Sequence, residues 1–461
     1  MGSIGSDAYL YQIVAKGHSP PIVKSAEGIY FTLENGQKVL DATGGAAVSA
    51  IGHGNKAVKD AIIRQLEAVT YAHNGFFQNT PALELADWLV KSTGGQLSRA
   101  CILNSGTGSE AVEAALKLAY QYFAELSPQS PRLNFISRRG SWHGCTIGAL
   151  SVGDIKFKKT LFAPLLLKNV SQVSPCHPWR DMKKGETTED YVNRLKQELE
   201  DEFQRLGPET VCGFIIEPMV GTALGCVTAL PGYLRAMKEV CDRHGALLIF
   251  DEIMCGLGRT GIQHEWQHEG VVPDIQTVGK VLGGGYAPVS ALLIHDRVIN
   301  GLKRGSGMFL HTQTYQAQPI TCAAALATQR YIEENNLIEN VRCMGEYLGE
   351  QLQLHLGEHP LVGDVRGRGL FWGVEMLKDK ATKAPFNSEL NIAKRIRLRG
   401  LEKDYNICIF TATGAADGWT GDQLLLAPPF IVQKQDVDEI IRRVVKVMDS
   451  VWKDIEPAVR G

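Results

Sequence analysis

The chain has 461 residues, 48 of them glycine, and its 48 basic and 50 acidic side chains give a formal net charge of −2. This length exceeds what one hydrophobic core usually organises, so more than one domain is expected. The charge balance offers no basic excess for nucleic acid, and 44% hydrophobic residues argue against a disordered chain. We therefore predict a globular protein with no nucleic-acid partner, in which the glycines serve particular turns and loops.

The ten cysteines form no C-x-x-C pair, and several, such as Cys212, lie in apolar runs. This usage indicates buried thiols in a reducing compartment. No apolar run reaches the roughly 18 residues that a membrane span needs, and the N-terminus lacks a secretory pattern. Gly2 and Ser6 match the myristoylation pattern, but no polybasic stretch follows. We therefore expect a cytoplasmic protein without a membrane span.

The first 60 residues contain a predicted β-hairpin with its turn at Glu34-Asn35-Gly36. Apolar strand patterns then alternate with amphipathic helix patterns, such as those at 109–126 and 189–206, which predicts a parallel sheet covered by helices. The strand patterns are unbroken rather than alternating, as in strands buried on both faces. They lie at residues 99–104, 133–138, 211–217, 245–251, 274–279 and 289–295.

The pattern changes near residue 320, where a long helical stretch, 320–356, leads into mixed segments and a terminal helix. We interpret this part as a smaller α+β domain. The predicted organisation is an N-terminal segment, 1–60, that joins the smaller domain, a large domain at 61–318, and a C-terminal small domain at 319–461.

Ligands of open α/β sheets bind where the strands end, so the residues after each strand are candidates for the site. The first such stretch is NSGTGSEAVEAALKLA, residues 104–119, in which Thr107, Gly108 and Ser109 open a helix. Backbone N–H groups and hydroxyls there could hold a phosphate, although a simple helix cap is an equal explanation. The stretch also satisfies the dinucleotide fingerprint G-x-G-x-x-A, so a nucleotide-binding dehydrogenase stays open at this point.

Two more strand ends carry ionisable side chains. Asp251 directly follows an apolar strand, where a carboxylate is costly unless a cation or a helix start accepts it. Lys280 stands among apolar residues and glycines, as suits an amine with a lowered pKa, although a surface lysine is the ordinary alternative. Together with the phosphate loop, these residues match the three protein groups that hold pyridoxal 5′-phosphate (PLP). These groups are a lysine for the aldehyde, a carboxylate for the pyridine nitrogen and a helix start for the phosphate. Trp142, after another strand, could cover the cofactor ring.

A competing motif is His264-Glu265-Trp266-Gln267-His268, which satisfies the zinc-protease pattern H-E-x-x-H. That pattern requires a helix that places both imidazoles on one face. Here Gly261 and Gly270 flank the segment, and no third ligand motif follows. We predict exposed loop or short-helix residues and no metal site.

The motifs together resemble the class III, or ω-, aminotransferases, which are fold type I PLP enzymes. The matching motifs, in the family's order, are NSGTGSEAVEAALKLA, SWHG, IIEP, IFDEIMCGLGRTG, TVGKVLGGGYAPVSALL, HTQTYQAQPITCAAALA, VRGRGLFWGVEM and LLLAPPFIV. The resemblance covers nearly the whole chain. It implies an α/β fold with a mostly parallel seven-stranded sheet covered by helices, plus a smaller α+β domain from both chain ends.

The resemblance also implies roles for the residues that match these motifs. Lys280 would form the Schiff base with PLP, and Asp251 would pair with the pyridine nitrogen. Cofactor contacts are implied for the phosphate loop, the SWHG and IIEP motifs, the isoleucine near Asp251 and a threonine that reaches the neighbouring subunit. In this chain they are Thr107, Gly108, Ser109, Trp142, His143, Glu217, Ile253 and Thr314. A homodimer with shared active sites follows from the last of these.

The reaction implied is ping-pong transfer of an amino group from an amine donor to a keto acid or aldehyde. Where some relatives carry an arginine near the PP motif, this chain has Leu425, and no arginine occurs from Gly400 to Ile441. Ala46 and Ala47 stand where several amine transaminases have bulky residues, and Phe77 completes the predicted pocket. We expect a roomy, mostly apolar site for a long or bulky amine. A racemase, decarboxylase or aminomutase on the same scaffold is the alternative function.

Overall fold

The computed structural model describes residues 20–460, so Gly2 and Ser6 lie outside the described residues. Within that range the strands are β1 (Val23–Glu27), β2 (Tyr30–Leu33), β3 (Lys38–Asp41), β4 (Arg99–Leu103), β5 (Asn134–Arg138), β6 (Val170–Val173), β7 (Val211–Ile216), β8 (Met219–Val220), β9 (Val227–Thr228), β10 (Leu247–Asp251), β11 (Ile275–Val278), β12 (Ser290–Ile294), β13 (Val362–Arg368), β14 (Phe371–Met376), β15 (Ile407–Cys408), β16 (Phe410–Thr413) and β17 (Asp422–Leu426).

The α-helices of the same range are α1 (Gly44–Ala47), α2 (Lys56–Ala68), α3 (Thr80–Ser92), α4 (Ser109–Leu126), α5 (Ile147–Val152), α6 (Lys156–Lys159), α7 (Pro178–Asp181), α8 (Thr188–Leu206), α9 (Tyr233–Arg243), α10 (Asp296–Arg304), α11 (Pro319–Glu334), α12 (Leu337–Leu356), α13 (Ile392–Gly400) and α14 (Lys434–Arg460). Short 3-10 helices cover Thr160–Leu165, Pro208–Thr210, Glu265–His268, Lys280–Leu282 and Ser388–Leu390.

The central sheet has seven strands in the order β4-β12-β11-β10-β7-β5-β6. Strand β12 is antiparallel to both of its neighbours, and the remaining pairs are parallel. Its central strands are fully buried, because helices cover both faces. The predicted α/β fold with a mostly parallel seven-stranded sheet is therefore confirmed.

The six predicted strands of this sheet all form, but edge strand β6 was not predicted. Strand β6 reads VSQV, and only Val173 of its four residues is buried. A four-residue edge strand with two polar residues lacks the continuous apolar run that marks the buried strands.

The two ends of the chain meet in a second sheet of order β1-β2-β3-β15. Strands β2 and β3 form the predicted hairpin, and β15 runs parallel to β3 with Ile407 opposite Leu40. A third, antiparallel sheet has the order β13-β14-β17-β16, and helices α12, α13 and α14 pack beside it. The smaller α+β part is therefore built from N-terminal and C-terminal segments.

The predicted long helix at 320–356 is wrong as a single element, since it divides into α11 and α12. The break lies at Asn335 and Asn336, and Asn336 adopts a left-handed φ of +50°. Asparagine tolerates this conformation better than most residues, which allows the chain to change direction there. Among the helices of the described residues, none combines the length and the apolar character that a membrane crossing requires.

Candidate active site

The carboxyl ends of β4, β5, β7, β10 and β11 share one edge of the central sheet, because these five strands run in the same direction. The segments that follow them carry most of the predicted site residues. Trp142 and His143 follow β5, Glu217 follows β7, Asp251 ends β10 and Lys280 comes two residues after β11. Parallel pairing thus brings together side chains that are far apart in sequence.

The Asp251 carboxylate is buried, and each of its two oxygens has a hydrogen-bond partner. Its Oδ2 lies 2.7 Å from Nδ1 of His143, and its Oδ1 accepts hydrogen bonds from Ile253 N at 3.1 Å and Thr277 Oγ1 at 3.2 Å. Asp251 is 4% exposed and His143 is 3% exposed. Charge-assisted hydrogen bonds of this kind compensate a carboxylate for the loss of water.

Glu217 is a second buried carboxyl group at the same edge. Its Oε1 accepts a hydrogen bond from Trp142 N at 3.0 Å, and its Oε2 accepts one from Gly221 N at 2.9 Å. Burial raises the pKa of Glu217, while His143 opposes this increase and the charge of Asp251 adds to it. Glu217 therefore fixes the backbone of the Trp142 loop from inside the sheet edge.

Lys280 begins a short 3-10 helix and adopts a left-handed φ of +47°, which is uncommon for a residue other than glycine. Burial lowers the pKa of its amine to about 8, although Asp251 and Glu217 act in the opposite direction. A substantial fraction of the Lys280 amine is therefore neutral near pH 8. A neutral amine at a sheet edge can act as a nucleophile and as a proton acceptor.

The start of α4 forms an open cradle beside Asp251. Gly108 is its N-cap with φ +80°, so the N-cap residue of this 18-residue helix supplies no side-chain cap, although Ser109 N donates a hydrogen bond to Thr107 Oγ1 at 3.3 Å. A Cβ atom on Gly108 would lie 2.6 Å from Cγ1 of Ile253. The buried Ser109 accepts a hydrogen bond from Cys145 N at 3.1 Å, and the exposed Thr107 places its Oγ1 3.2 Å from Ser109 Oγ. Free N–H groups at a helix start attract an anion such as phosphate.

Ile253 borders this cradle, whereas Trp142 packs in a neighbouring cluster. Ile253 is buried next to Gly108 and Gly279, and a Cβ on Gly279 would lie 3.1 Å from its Cδ1. Trp142 is half-buried and packs against an apolar cluster that includes Ile155 and Leu224. The observed wall of the cradle is therefore the branched aliphatic side chain of Ile253.

Thr314 and Phe77 lie apart from these residues and line a different, exposed cavity of about 720 Å³. The carbonyl oxygen of Thr314 accepts a hydrogen bond from Tyr71 Oη at 2.9 Å, and Phe77 is 67% exposed. Ala47 and Leu425 are buried together in one apolar cluster, while Ala46 is half-buried. The predicted residues therefore divide into one central group and two outlying groups.

The chain matches the family model described as aminotransferase class III over residues 12–448. The chain belongs to the class III aminotransferases. It is 46% identical to an aminotransferase of Gibberella zeae over 95% of this chain and 85% of that protein. It is 45% identical to an uncharacterised aminotransferase of Schizosaccharomyces pombe over 96% of this chain and 95% of that protein.

Solved structures agree with this assignment. The omega transaminase of Pseudomonas jessenii in complex with PMP superposes with a TM-score of 0.88 at 30% identity, covering 97% of this chain and 98% of that chain. The predicted family, PLP cofactor and transaminase activity are therefore confirmed, and the protein is a PLP-dependent transaminase. The dehydrogenase interpretation, which used the glycine-rich loop alone, is not supported.

The residues of this class III aminotransferase fit PLP on three independent counts. The N-cap of α4 is a glycine without a side-chain cap, a Cβ atom on Gly108 would meet Ile253, and Lys280 carries an amine whose pKa burial lowers. A phosphate needs N–H groups at a helix start, a close approach of the backbone needs glycine, and an aldehyde needs a neutral amine.

The H-E-x-x-H segment of the transaminase contains a short 3-10 helix, Glu265–His268, as predicted, and His268 is exposed, whereas His264, Glu265 and Trp266 are buried. His264 is fully buried, with its ring nitrogens 2.9 Å from Ser92 Oγ and from Gln276 Nε2, and Glu265 pairs with Arg368 at 2.8 Å. These side chains are committed to packing contacts. In the part of the chain that the structure describes, no cluster of three or more His, Cys, Asp or Glu is placed to hold a metal ion.

Sequence reasoning did not find Thr277 or Gly221 as partners of the site carboxylates. Thr277 lies opposite Asp251 across the β10–β11 pair, and Gly221, directly after β8, donates its backbone N–H to Glu217 Oε2. The register between strands decides the first contact. A hydrophobic strand pattern does not show which residues of two neighbouring strands lie opposite each other. Thr277 in DIQTVGK is nevertheless a polar residue in a buried strand, which could have indicated that it has a hydrogen-bond partner.

Proposed function

We propose that Lys280 is the catalytic lysine of this transaminase and that Asp251, backed by His143, binds the pyridine nitrogen of PLP. The observation that carries this assignment is the position of Lys280, two residues after β11 at the sheet edge where β10 ends in Asp251 and Glu217 follows β7. Bound PLP supplies an electron sink for negative charge at the substrate carbon beside the amine nitrogen. Asp251 would keep a proton on the pyridine nitrogen, and Lys280 Nζ would accept the proton from the substrate carbon.

The remaining contacts follow from the cradle at α4. Its free N–H groups, with Thr107, Gly108 and Ser109, would hold the phosphate. Trp142 and Ile253 would lie against opposite faces of the cofactor ring. Glu217 would hold the Trp142 loop in place through its hydrogen bond to Trp142 N.

A homodimer with shared active sites is part of the proposal. An exposed apolar face is formed by Phe76, Phe77, Leu310 and Tyr315. Each of these residues is between 58% and 80% exposed. Contiguous exposed apolar surface of this kind is typical of a protein–protein interface. Thr314 lies within this region, apart from the central group of site residues in its own chain. It would complete the phosphate site of the neighbouring subunit.

For the substrate, we propose a long or bulky amine with a keto acid or aldehyde as acceptor. Small residues at Ala46 and Ala47 and the aliphatic Leu425 would leave room for an apolar chain, and Phe77, which lines the separate exposed cavity, would reach such a substrate only across the proposed dimer interface. The apolar cluster around Ala47 and Leu425 contains Met219, Met254 and Phe371. A substrate panel that shows activity only with small α-amino acids would exclude this substrate class.

We further propose a cytoplasmic location and the division into residues 1–60, 61–318 and 319–461. All ten cysteines are free thiols, and six of them are buried, which suits a reducing compartment. The pairing of β15 with β3 supports an N-terminal segment that belongs to the smaller domain.

The visible absorption of the purified protein tests the catalytic assignment. An amine donor alone should change the spectrum, and a keto acid should restore it, because the amino group stays on the enzyme between half-reactions. Borohydride reduction followed by peptide mapping should place the cofactor on Lys280. Covalent label on another lysine would exclude Lys280, and turnover without any keto acceptor would instead indicate a racemase or another alternative reaction.

A further inference from the structure

The loop between α10 and α11 contacts the backbone just before the phosphate loop. Asn104 N donates a hydrogen bond to Oε1 of Gln313 at 3.1 Å, although 209 positions separate the two residues in sequence. Asn104 directly follows β4, the edge strand of the central sheet, and the β4–β12 pairing ends where Leu103 lies opposite Ser290. The Gln313 side chain therefore supplies a hydrogen-bond acceptor at the point where strand pairing stops.

Asn104 is connected to the start of α4 by a short and closely packed turn. The buried Ser105 donates a hydrogen bond from its hydroxyl to the carboxylate of Glu110 in the first turn of α4. A Cβ atom on Gly106 would lie 3.0 Å from Cα of Pro288, so this part of the backbone has little room to move. Because packed backbone transmits a displacement rather than absorbing it, the position of Asn104 and that of the helix start depend on each other.

The residue after Gln313 is Thr314, whose surroundings are different. Gln313 is half-buried and Thr314 is exposed, and both line the cavity of about 720 Å³. The backbone of Thr314 is held from the other side, since its carbonyl oxygen accepts a hydrogen bond from Tyr71 Oη at 2.9 Å. Two adjacent residues thus connect the phosphate loop of this chain with an exposed side chain of the proposed dimer interface.

We propose that Gln313 is a positioning residue that couples the two cofactor sites of the homodimer. This inference rests on the proposed function, in which Thr314 completes the phosphate site of the neighbouring subunit. A phosphate held at the start of α4 restricts the segment at Asn104, and through Gln313 it also restricts the position of Thr314. The neighbouring site then loses less conformational entropy on binding, so the second cofactor molecule binds more tightly than the first.

Titration of the cofactor-free dimer with pyridoxamine 5′-phosphate, followed by tryptophan fluorescence, tests the proposal without turnover. This probe has the phosphate but lacks the aldehyde, so its binding does not depend on a Schiff base with Lys280. In the native dimer the second molecule should bind about fivefold more tightly than the first, after correction for the statistical factor. Gln313→Met keeps a side chain of similar length but has no oxygen acceptor, and its two sites should bind with equal affinity. Sedimentation velocity checks that each variant remains a dimer.

Two further variants separate a specific connection from a general loosening of the loop. Gln313→Glu still offers an oxygen to Asn104 N, so it should retain the cooperativity even though its charge weakens both binding steps. Gln316 lies on the same loop, but its Nε2 donates to Cys101 Sγ at 3.3 Å, so Gln316→Met should remain cooperative. Binding without cooperativity in the native dimer, full cooperativity in Gln313→Met, or an equal loss in Gln316→Met would overturn the proposal.

Thr314→Val distinguishes a failure of this inference from a failure of the proposed function. It should weaken pyridoxamine 5′-phosphate at both sites and remove the cooperativity. Unchanged affinity in Thr314→Val would overturn both, because Thr314 would then make no contact with the neighbouring phosphate. Weaker binding in Thr314→Val together with full cooperativity in Gln313→Met would retain the shared site and exclude only the connection through Gln313.

Discussion

His143 Nδ1 lies 2.7 Å from Asp251 Oδ2, and both side chains are buried at the carboxyl edge of the central sheet. The other carboxylate oxygen accepts hydrogen bonds from Ile253 N and Thr277 Oγ1. One oxygen of Asp251 therefore depends on His143, while the second is held by the fold of β10 and β11. Removing the imidazole should therefore affect the hydrogen bonding of one carboxylate oxygen and leave that of the other in place.

His143→Ala should lower kcat by about 10- to 100-fold, because it leaves one oxygen of a buried carboxylate without its donor. Cofactor affinity, measured by titration of the cofactor-free protein with PLP, should fall in parallel. His143→Asn is the matched variant, since its side-chain amide can donate toward the same oxygen. Full activity in His143→Ala would show that Asp251 does not need the imidazole.

Gly108→Ala should weaken PLP binding and destabilise the protein by about 1–3 kcal/mol, because it combines a left-handed φ with a clash. The added Cβ would lie 2.6 Å from Cγ1 of Ile253. Thermal unfolding and PLP titration measure the two effects. Ile253→Ala in the Gly108→Ala background should recover the part of the loss that comes from the clash.

Gly95→Ala is the control for backbone strain in that experiment. Gly95 has φ +77°, close to the +80° of Gly108, but nothing lies within 4 Å of its Cβ position. Gly95→Ala should therefore lower the free energy of unfolding without changing PLP affinity. Equal loss of PLP affinity in both variants would argue against a specific cradle at Gly108.

The central sheet and the edge that carries the site could be predicted from sequence because buried parallel strands leave long apolar runs. The positions of Asp251 and Lys280 after such runs placed both at one edge. The His143–Asp251 contact could not be predicted, because it depends on how the loop after β5 folds over β7 and β10. Edge strand β6 and the break at Asn336 depend on local geometry that leaves almost no hydrophobic pattern.

The low pKa of Lys280 predicts a pH-dependent contribution to the stability of the cofactor-free protein. In the folded state this pKa is about 8, against 10.5 for an unperturbed lysine. Below pH 8 the amine is charged in both states, and the folded protein bears the full cost of burying that charge. Above pH 10.5 it is neutral in both states, so the cost disappears, and stability rises with pH between these values.

Lys280→Met isolates this contribution from those of other groups. The difference in Tm between Lys280→Met and the native chain, both without PLP, should be largest below pH 8 and shrink toward pH 10.5. Differential scanning fluorimetry across that range measures it. A difference that stays constant with pH would mean that the Lys280 amine keeps its ordinary pKa in the folded protein.

Leu310→Glu should dissociate the proposed homodimer, because it replaces an exposed apolar side chain of the proposed interface by a charge. Leu310 is 61% exposed, and its backbone N–H donates to Gln121 Oε1 at 2.9 Å, so the substitution leaves the local fold intact. Sedimentation velocity should show a monomer, with activity lost because Thr314 no longer reaches a second subunit. Leu354→Glu, at an exposed leucine of α12 outside that face, should remain dimeric and active. A fully active Leu310→Glu monomer would contradict shared active sites, and an unchanged dimer would place the interface elsewhere on the chain.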